Sequence, residues 1–116
     1  MSRLLTAAEY KLTKWLLEHG KPEAKNFLPQ LERALVSDWT CPCGCASFNL
    51  EIAGDPTPIG VTVLSDYVFG EDENLCGVFA FESNGILAGV EVSGYAVDAP
   101  KSLPTPEDLR PIGGDH

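Results

Sequence analysis

The amino-acid sequence predicts an α+β fold, in which an N-terminal αα-hairpin packs on one face of a four- to five-stranded antiparallel sheet and an extended Pro-rich tail follows. Apolar residues recur at steps of three and four over the first 35 residues, apolar and polar residues alternate from about residue 46, and Asn84-Gly85 separates two apolar runs. The 116 residues have the size of one domain, with helices at about 6–35, the sheet at about 36–95 and the tail at 96–116.

The first helix is predicted to begin at a capping box. Thr6 precedes Glu9 by three residues, so its hydroxyl can accept an early helix N–H while the carboxylate reaches back to the start of the helix. The apolar spacing extends to about His19. Gly20 is then expected to act as a left-handed stop, and Pro22 prevents the same helix from continuing.

A second helix is predicted from Pro22 to about Leu35. Pro22 suits a first helical turn, because the N–H that it lacks would have no partner there. Pro29 lies inside the pattern, so the helix must kink or restart at that residue. The side chains expected to pack the two helices on the sheet are Leu12, Leu16, Leu31 and Leu35.

The sheet is expected to be an up-and-down meander. Residues 36–40 are typical of a short strand, residues 46–52 alternate between apolar and polar side chains, and residues 59–69 are rich in β-branched and aromatic types. The apolar positions of the second strand are Phe48, Leu50 and Ile52.

A β-hairpin is the clearest element of the sequence. Residues 75–82 and 86–95 flank Asn84-Gly85, the pair best suited to a two-residue type I′ turn. The predicted register pairs Ser83 with Ile86, Phe81 with Ala88 and Phe79 with Val90. This register places Phe79 and Phe81 on the core face.

In the tail, four prolines are expected to exclude a further ladder strand: Pro100, Pro104, Pro106 and Pro111.

Charge is distributed unevenly along the chain. The net charge is −9; residues 1–40 carry six Lys or Arg and five Asp or Glu, whereas residues 41–116 carry two and twelve. No Lys or Arg occurs from Ala34 to Pro100. Such a surface repels phosphate backbones and anionic lipids, which argues against nucleic-acid and membrane binding and favours a basic protein partner.

The densest group of carboxylates is the candidate partner surface, namely Asp66, Glu71, Asp72 and Glu73. These residues lack the spacing of a calcium-binding loop. The alternative is that they form a solvated turn that keeps a small protein soluble.

The sequence also has no secretory signal and no run near the roughly 18 apolar residues that span a bilayer, so a cytoplasmic location is expected.

Four cysteines are the candidate metal ligands or redox groups. Cys41, Cys43 and Cys45 lie within five residues, and Cys76 is the only other thiol. Zinc sites usually combine two pairs of ligands, and the two cysteines of a pair are separated by two intervening residues. Here only one residue separates neighbouring cysteines, and no second pair exists. In a meander, Cys76 would also lie about 10 Å away, across two strand spacings. The sequence therefore predicts no bound zinc and no other cofactor, and favours reduced cysteines in a tight turn.

Catalytic motifs are absent from the sequence. Ser65-Asp66 is a Ser-Asp pair, but neither a nucleophile elbow nor an HExxH helix occurs. The sequence thus favours a protein that is not an enzyme.

Several short segments together resemble a family of small bacterial proteins of unknown function. They are Cys41-x-Cys43-Gly44-Cys45 leading into Ser47-x-Asn49-Leu50, then Gly85-Ile86-Leu87-x-x-Val90-Glu91-Val92, and the closing Leu103-Pro104-x-Pro106-x-x-Leu109. The resemblance covers about residues 36–112. It implies a bacterial, cytosolic α+β domain and implies no activity.

Three functions are consistent with these features. The leading interpretation is a non-enzymatic protein-binding or accessory domain whose partner is a protein with a basic surface. One alternative is a metal- or thiol-dependent protein that uses Cys41, Cys43 and Cys45. The other is an acidic inhibitor or immunity protein that blocks a basic toxin or nuclease.

Overall fold

The structure is a computed structural model that describes residues 2–37, 45–52, 62–95 and 97–111. These residues contain two α-helices and a six-stranded antiparallel sheet, which confirms the predicted α+β class. The prediction of four to five strands was too low. The strands are β1 (Ala34–Val36), β2 (Phe48–Ile52), β3 (Thr62–Phe69), β4 (Cys76–Ser83), β5 (Ile86–Gly94) and β6 (Arg110–Pro111).

The first helix, α1, covers Ala7–Glu18 and begins at the predicted capping box. The N–H of Glu9 donates to Oγ1 of Thr6 over 3.1 Å, and the N–H of Thr6 donates to Oε1 of Glu9 over 2.8 Å. Gly20 is not a left-handed stop, because it is absent from the residues with positive φ. It is required for close approach instead: a β-carbon there would lie 2.4 Å from the carbonyl oxygen of Leu64.

The second helical segment is shorter than predicted. A 3₁₀ helix covers Pro22–Phe27, and a single α-helical turn, α2, covers Leu28–Leu31 with Pro29 in its first turn. The helix therefore restarts at Leu28, with Pro29 in its first turn, and does not continue through Pro29 with a kink. The predicted extension to Leu35 was wrong, because Ala34–Val36 pairs with β2 as a strand. Three consecutive apolar residues fit a period of 2 or of 3.6 equally well, and strand pairing decides between them.

The strand order is β1-β2-β5-β4-β3-β6, so the sheet is not a meander. The β4–β5 hairpin lies at its centre, with β2 on one side and β3 on the other. Backbone hydrogen bonds between Arg3 and Val36, 2.9 and 2.7 Å long, cover part of the edge of β1. The two strands that follow one another in sequence, β2 and β3, are therefore separated by the whole hairpin.

The hairpin turn has the predicted conformation. Asn84 and Gly85 have φ values of 52° and 83°, as a type I′ turn requires, and Ser83 pairs with Ile86 as expected. A bulge beside Phe81 then shifts the register by one residue. Phe81 pairs with Gly89 rather than Ala88, and Phe79 pairs with Glu91 rather than Val90.

The predicted core face of β4 was also wrong. Val78 and Ala80 belong to the core that faces the helices, with exposed fractions of 1% and 0%. Since successive side chains of a strand point to opposite faces, Phe79 and Phe81 lie on the side away from the helices.

The core lies between the helical layer and one face of the sheet. Leu12, Leu16 and Leu31 are buried in it as predicted, whereas Leu35 lies in β1 and is only half-buried. On the sheet side, β2 presents alternate residues, as its sequence predicted. These core residues of the sheet include Phe48, Leu50, Ile52, Leu64, Val78, Ala80, Leu87, Val90 and Val92.

The Pro-rich tail joins the fold more closely than predicted. The Ala46 N–H donates to the carbonyl of Pro100 over 2.9 Å, and Leu103 and Leu109 pack against the core. Arg110–Pro111 pairs with Tyr67 and Val68 of β3, so the prediction that the tail adds no strand was wrong. Pro111 is tolerated because β6 is an edge strand, where a proline need not donate to a further neighbour.

Among the described residues, no helix is long and apolar enough to cross a membrane.

Candidate functional site

The candidate site is the outer face, defined as the side of the sheet that points away from α1 and α2. Both helices contact the opposite side of the sheet. On the outer face, the central strand β4 contributes Gly77, Phe79 and Phe81 at alternate positions. Neither phenylalanine packs against the hydrophobic core cluster beneath the helices.

Three aromatic side chains form what we call the aromatic stripe: Phe79 and Phe81 of β4, and Tyr95, which follows β5 and lies against Gly77 of β4. The ring centroids of Phe79 and Phe81 are 5.7 Å apart, and the rings are tilted by 53°. Tyr95 reaches the stripe because Gly77 has no side chain; a β-carbon at Gly77 would lie 2.9 Å from the phenol oxygen. Tyr95 is 60% exposed, so this end of the stripe is open to solvent.

A bulge in the hairpin determines where Phe81 lies. It makes Phe81 the cross-strand partner of Gly89, and a β-carbon at Gly89 would come within 2.9 Å of Cζ of Phe81. The ring therefore covers the glycine, and Phe81 is 8% exposed while Phe79 is half-buried. Phe79 is consequently the more accessible ring of the pair.

Carboxylates flank Phe79 on both neighbouring strands. Asp66 of β3 is its register partner on one side, and Glu91 of β5 is its partner on the other. Since register partners share a face, the three side chains form one row across the sheet, which we call the acidic row. Asp66 and Glu91 are exposed, and neither forms an ion pair with a described residue.

Basic side chains are scarce around the acidic row. Arg110 of β6 is a register partner of Val68, two residues from Asp66 along β3. Its guanidinium donates to the carbonyl oxygen of Gly70 rather than to a carboxylate. Within the described part of the chain, the charge of the acidic row is thus not neutralised by direct ion pairing.

The structure divides the predicted partner surface into two parts. Asp66 lies in the acidic row, whereas Glu71 and Glu73 are exposed around the 3₁₀ turn Asp72–Asn74 between β3 and β4. The side chain of Asp72 lies outside the described part. Glu91 and the aromatic stripe were not identified from the sequence as site residues; a charged residue inside an otherwise apolar strand was the signal available for Glu91.

Of the four cysteines, Cys45 and Cys76 belong to the described residues, and Cys41 and Cys43 lie outside them. Cys45 is half-buried just before β2, with its sulfur 3.3 Å from Oγ of Ser47. Cys76 is buried at the start of β4, and its thiol donates to the carbonyl of Asn74 over 3.4 Å. Because β5 lies between β2 and β4, the two strands are about 10 Å apart.

Ser47 explains the local order beside Cys45. Its hydroxyl accepts the N–H of Val92 over 2.9 Å and lies 3.3 Å from the carbonyl oxygen of the same residue. The side chain therefore continues the pairing of β2 with β5 where the ladder itself has ended.

Among the described residues, no group of three or more His, Cys, Asp or Glu side chains could hold a metal ion.

A cleft of about 380 Å³ lies between the end of α1 and β3, and it contains Ser65 and His19. The hydroxyl of Ser65 is buried beneath Gly20 and has no hydrogen-bond partner in the described part of the chain. Nδ1 of His19 lies 2.8 Å from the carbonyl oxygen of Trp15, on whose ring the imidazole stacks at 4.1 Å. The two residues are not joined by a hydrogen bond, so this cleft does not have the arrangement of a nucleophile and its base.

Comparisons with known proteins give no family for the chain. No protein-family model matches the sequence, and neither curated proteins nor solved structures match it. The outer face, with its aromatic stripe and acidic row, is accordingly the best-defined candidate site, and it rests on the geometry alone.

Proposed function

We propose that this protein is a non-enzymatic protein-binding domain, and that its outer face binds a partner protein with a basic surface. The observation that carries the proposal is the acidic row, in which Phe79 lies between Asp66 and Glu91. An aromatic ring supplies apolar contact area, and carboxylates select the charge of what approaches it.

Two further features support a basic partner. The sequence has no Lys or Arg from Ala34 to Pro100, a range that includes most of the sheet. Long-range repulsion therefore disfavours nucleic acid and anionic lipid, whereas a basic protein is attracted. An acidic inhibitor of a basic toxin or nuclease would use the same face, and we keep this as a more specific form of the proposal.

The proposal is tested with two synthetic peptides of equal length. One alternates Lys or Arg with Leu, and the other replaces every basic residue by Glu. Each is titrated into the ¹⁵N-labelled full chain while amide chemical shifts are recorded. We expect the basic peptide alone to bind, with shifts concentrated in the central strands β3, β4 and β5.

Salt and a matched variant complete this test. Exposed charges are screened over about 10 Å at 0.1 M salt and about 3 Å at 1 M, so affinity should fall between these concentrations. Phe79→Ala should abolish the shifts, whereas Glu23→Gln, an exposed charge change in the helical layer, should leave them intact. Equal binding of both peptides, or shifts unaffected by Phe79→Ala, would contradict the proposal.

A further inference from the structure

The acidic row has two carboxylates on opposite sides of one aromatic ring. Neighbouring strands lie about 4.8 Å apart, so Asp66 and Glu91 flank Phe79 at about that distance on either side. A ligand that lies on the ring is thus within reach of both carboxylates. A ligand with a single point of charge can lie close to only one of them at a time.

The chemistry of the two basic side chains differs in this respect. A guanidinium group is planar, lies flat on aromatic rings and presents five N–H donors around its edge. An ammonium group is compact, strongly hydrated and concentrates its charge at one nitrogen. Only the guanidinium can cover the ring of Phe79 while its edge donates to carboxylates on two sides.

The rest of the aromatic stripe indicates what should lie next to the guanidinium. Phe81 is in contact with Phe79 and is almost fully buried, and the exposed residue Tyr95 ends the stripe. The surface along β4 on either side of Phe79 is therefore aromatic and uncharged. Residues adjacent to the bound side chain should be apolar rather than basic.

We infer that the outer face recognises arginine, with the guanidinium group of a partner protein held on Phe79 between Asp66 and Glu91. This inference rests on the proposed function, since it specifies which basic group the acidic row binds. The occupant is an exposed arginine flanked by apolar residues in a partner protein. Lysine at the same position is the weaker ligand.

The test uses three peptides that differ at one position. A short peptide with a single central arginine between Leu and Val residues is compared with its lysine and citrulline counterparts by calorimetry and by amide chemical shifts. Citrulline keeps the shape of arginine without its charge. We expect the arginine peptide to bind about fivefold more tightly than the lysine peptide, as about 1 kcal/mol of stacking and hydrogen bonding implies. The citrulline peptide should bind least.

Variants of the acidic row give a second readout. Asp66→Asn and Glu91→Gln should each reduce the preference for arginine over lysine, and together they should remove it. Phe79→Leu keeps an apolar side chain while it removes the ring, and should reduce the binding of the arginine peptide most. Thermal unfolding confirms that each variant is folded, and Glu23→Gln serves as the matched charge control.

The outcomes separate this inference from the proposed function. Equal affinities for arginine and lysine, with both dependent on Phe79, would overturn arginine recognition and leave a basic-protein site in place. Affinities independent of Phe79 for all three peptides would overturn both. Sedimentation of the chain alone gives the last check: self-association that Phe79→Leu abolishes would identify a second copy as the occupant and would also overturn the inference.

Discussion

Phe81 lies directly over Gly89, so that a β-carbon on the glycine would come within 2.9 Å of Cζ of the ring and 2.6 Å of the carbonyl oxygen of Phe48. The second contact is to backbone and cannot be relieved by a side-chain rotation. Gly89→Ala should therefore force β2 and β5 apart and cost about 1–3 kcal/mol. Urea unfolding measures this loss.

A control for that prediction lies in the hairpin turn. Gly85 also has positive φ, but a β-carbon there meets nothing within 4 Å. Asparagine is the side chain that best tolerates the left-handed region, so Gly85→Asn should cost less than Gly89→Ala. If Gly89→Ala and Gly85→Asn have equal effects, the close approach of the Phe48 carbonyl and the Phe81 ring is not what requires glycine at residue 89.

Burial of the first helix can be tested at Leu16, which is fully buried. Leu16→Ala should lower the free energy of unfolding by about 2–5 kcal/mol through lost apolar burial and the cavity that remains. Leu4 is 77% exposed, and Leu4→Ala should change stability by less than about 0.5 kcal/mol. A Leu16→Ala protein that melts like the parent would show that α1 does not pack on the core.

The Ser65 hydroxyl is predicted to destabilise the fold. Its oxygen is buried with no hydrogen-bond partner among the described residues, and a buried unpaired polar group costs about 1–3 kcal/mol. Ser65→Ala should therefore raise the free energy of unfolding by about 1 kcal/mol. Thr13→Val is the contrast, because the Thr13 hydroxyl is buried but donates to the Glu9 carbonyl over 2.7 Å; it should lower stability by about 1 kcal/mol. A loss of stability in Ser65→Ala would show that the hydroxyl has a partner in solution.

The contribution of Glu9 should depend on pH. Hydrogen bonds from the Arg3 guanidinium, both 2.8 Å long, lower the pKa of the Glu9 carboxyl, although burial opposes this shift. A carboxylate whose pKa is lower in the folded state contributes stability above its unfolded pKa and loses it as the pH falls through the folded pKa. Glu9→Gln should thus be destabilising at pH 7, and its difference from the parent should shrink below about pH 4. Urea unfolding from pH 7 to pH 2 measures this; a difference that does not vary with pH would contradict the Arg3–Glu9 interaction.

The prediction that Cys41, Cys43, Cys45 and Cys76 bind no zinc together stays a prediction. Its structural support is that β5 separates the strand after Cys45 from the strand that begins at Cys76. Thiol titration should reveal four thiols on unfolding, and elemental analysis should find no zinc. About one equivalent of zinc, with unfolding on chelation, would instead establish a metal site.

Local features of the fold were predicted from sequence and the long-range arrangement was not. The capping box at Thr6 and the turn at Asn84-Gly85 depend on a few neighbouring residues, and both were predicted correctly. The strand order depends on where the chain goes between β2 and β3. The sequence between them is long enough to reach either side of the hairpin, so a meander could not be distinguished from the observed order.

The candidate site was missed for a related reason. Residues 75–81 are almost all apolar or small, so alternation could not show which face of β4 meets the helices. A one-residue bulge also shifted the partners of Phe79 and Phe81 by one residue from those predicted. Asp66 was identified because its carboxylate is charged, but its alignment with Phe79 and Glu91 depends on pairing across three strands.

The central position of the β4–β5 hairpin has a consequence for the order of folding. A two-residue turn brings these strands together with very little loop closure, whereas β2 and β3 must each return from a distance to reach opposite edges of the hairpin. We therefore expect the hairpin to be the nucleus on which the other strands assemble. Substitutions near Asn84 should mainly slow refolding, and those in the terminal strands β1 and β6 should mainly accelerate unfolding.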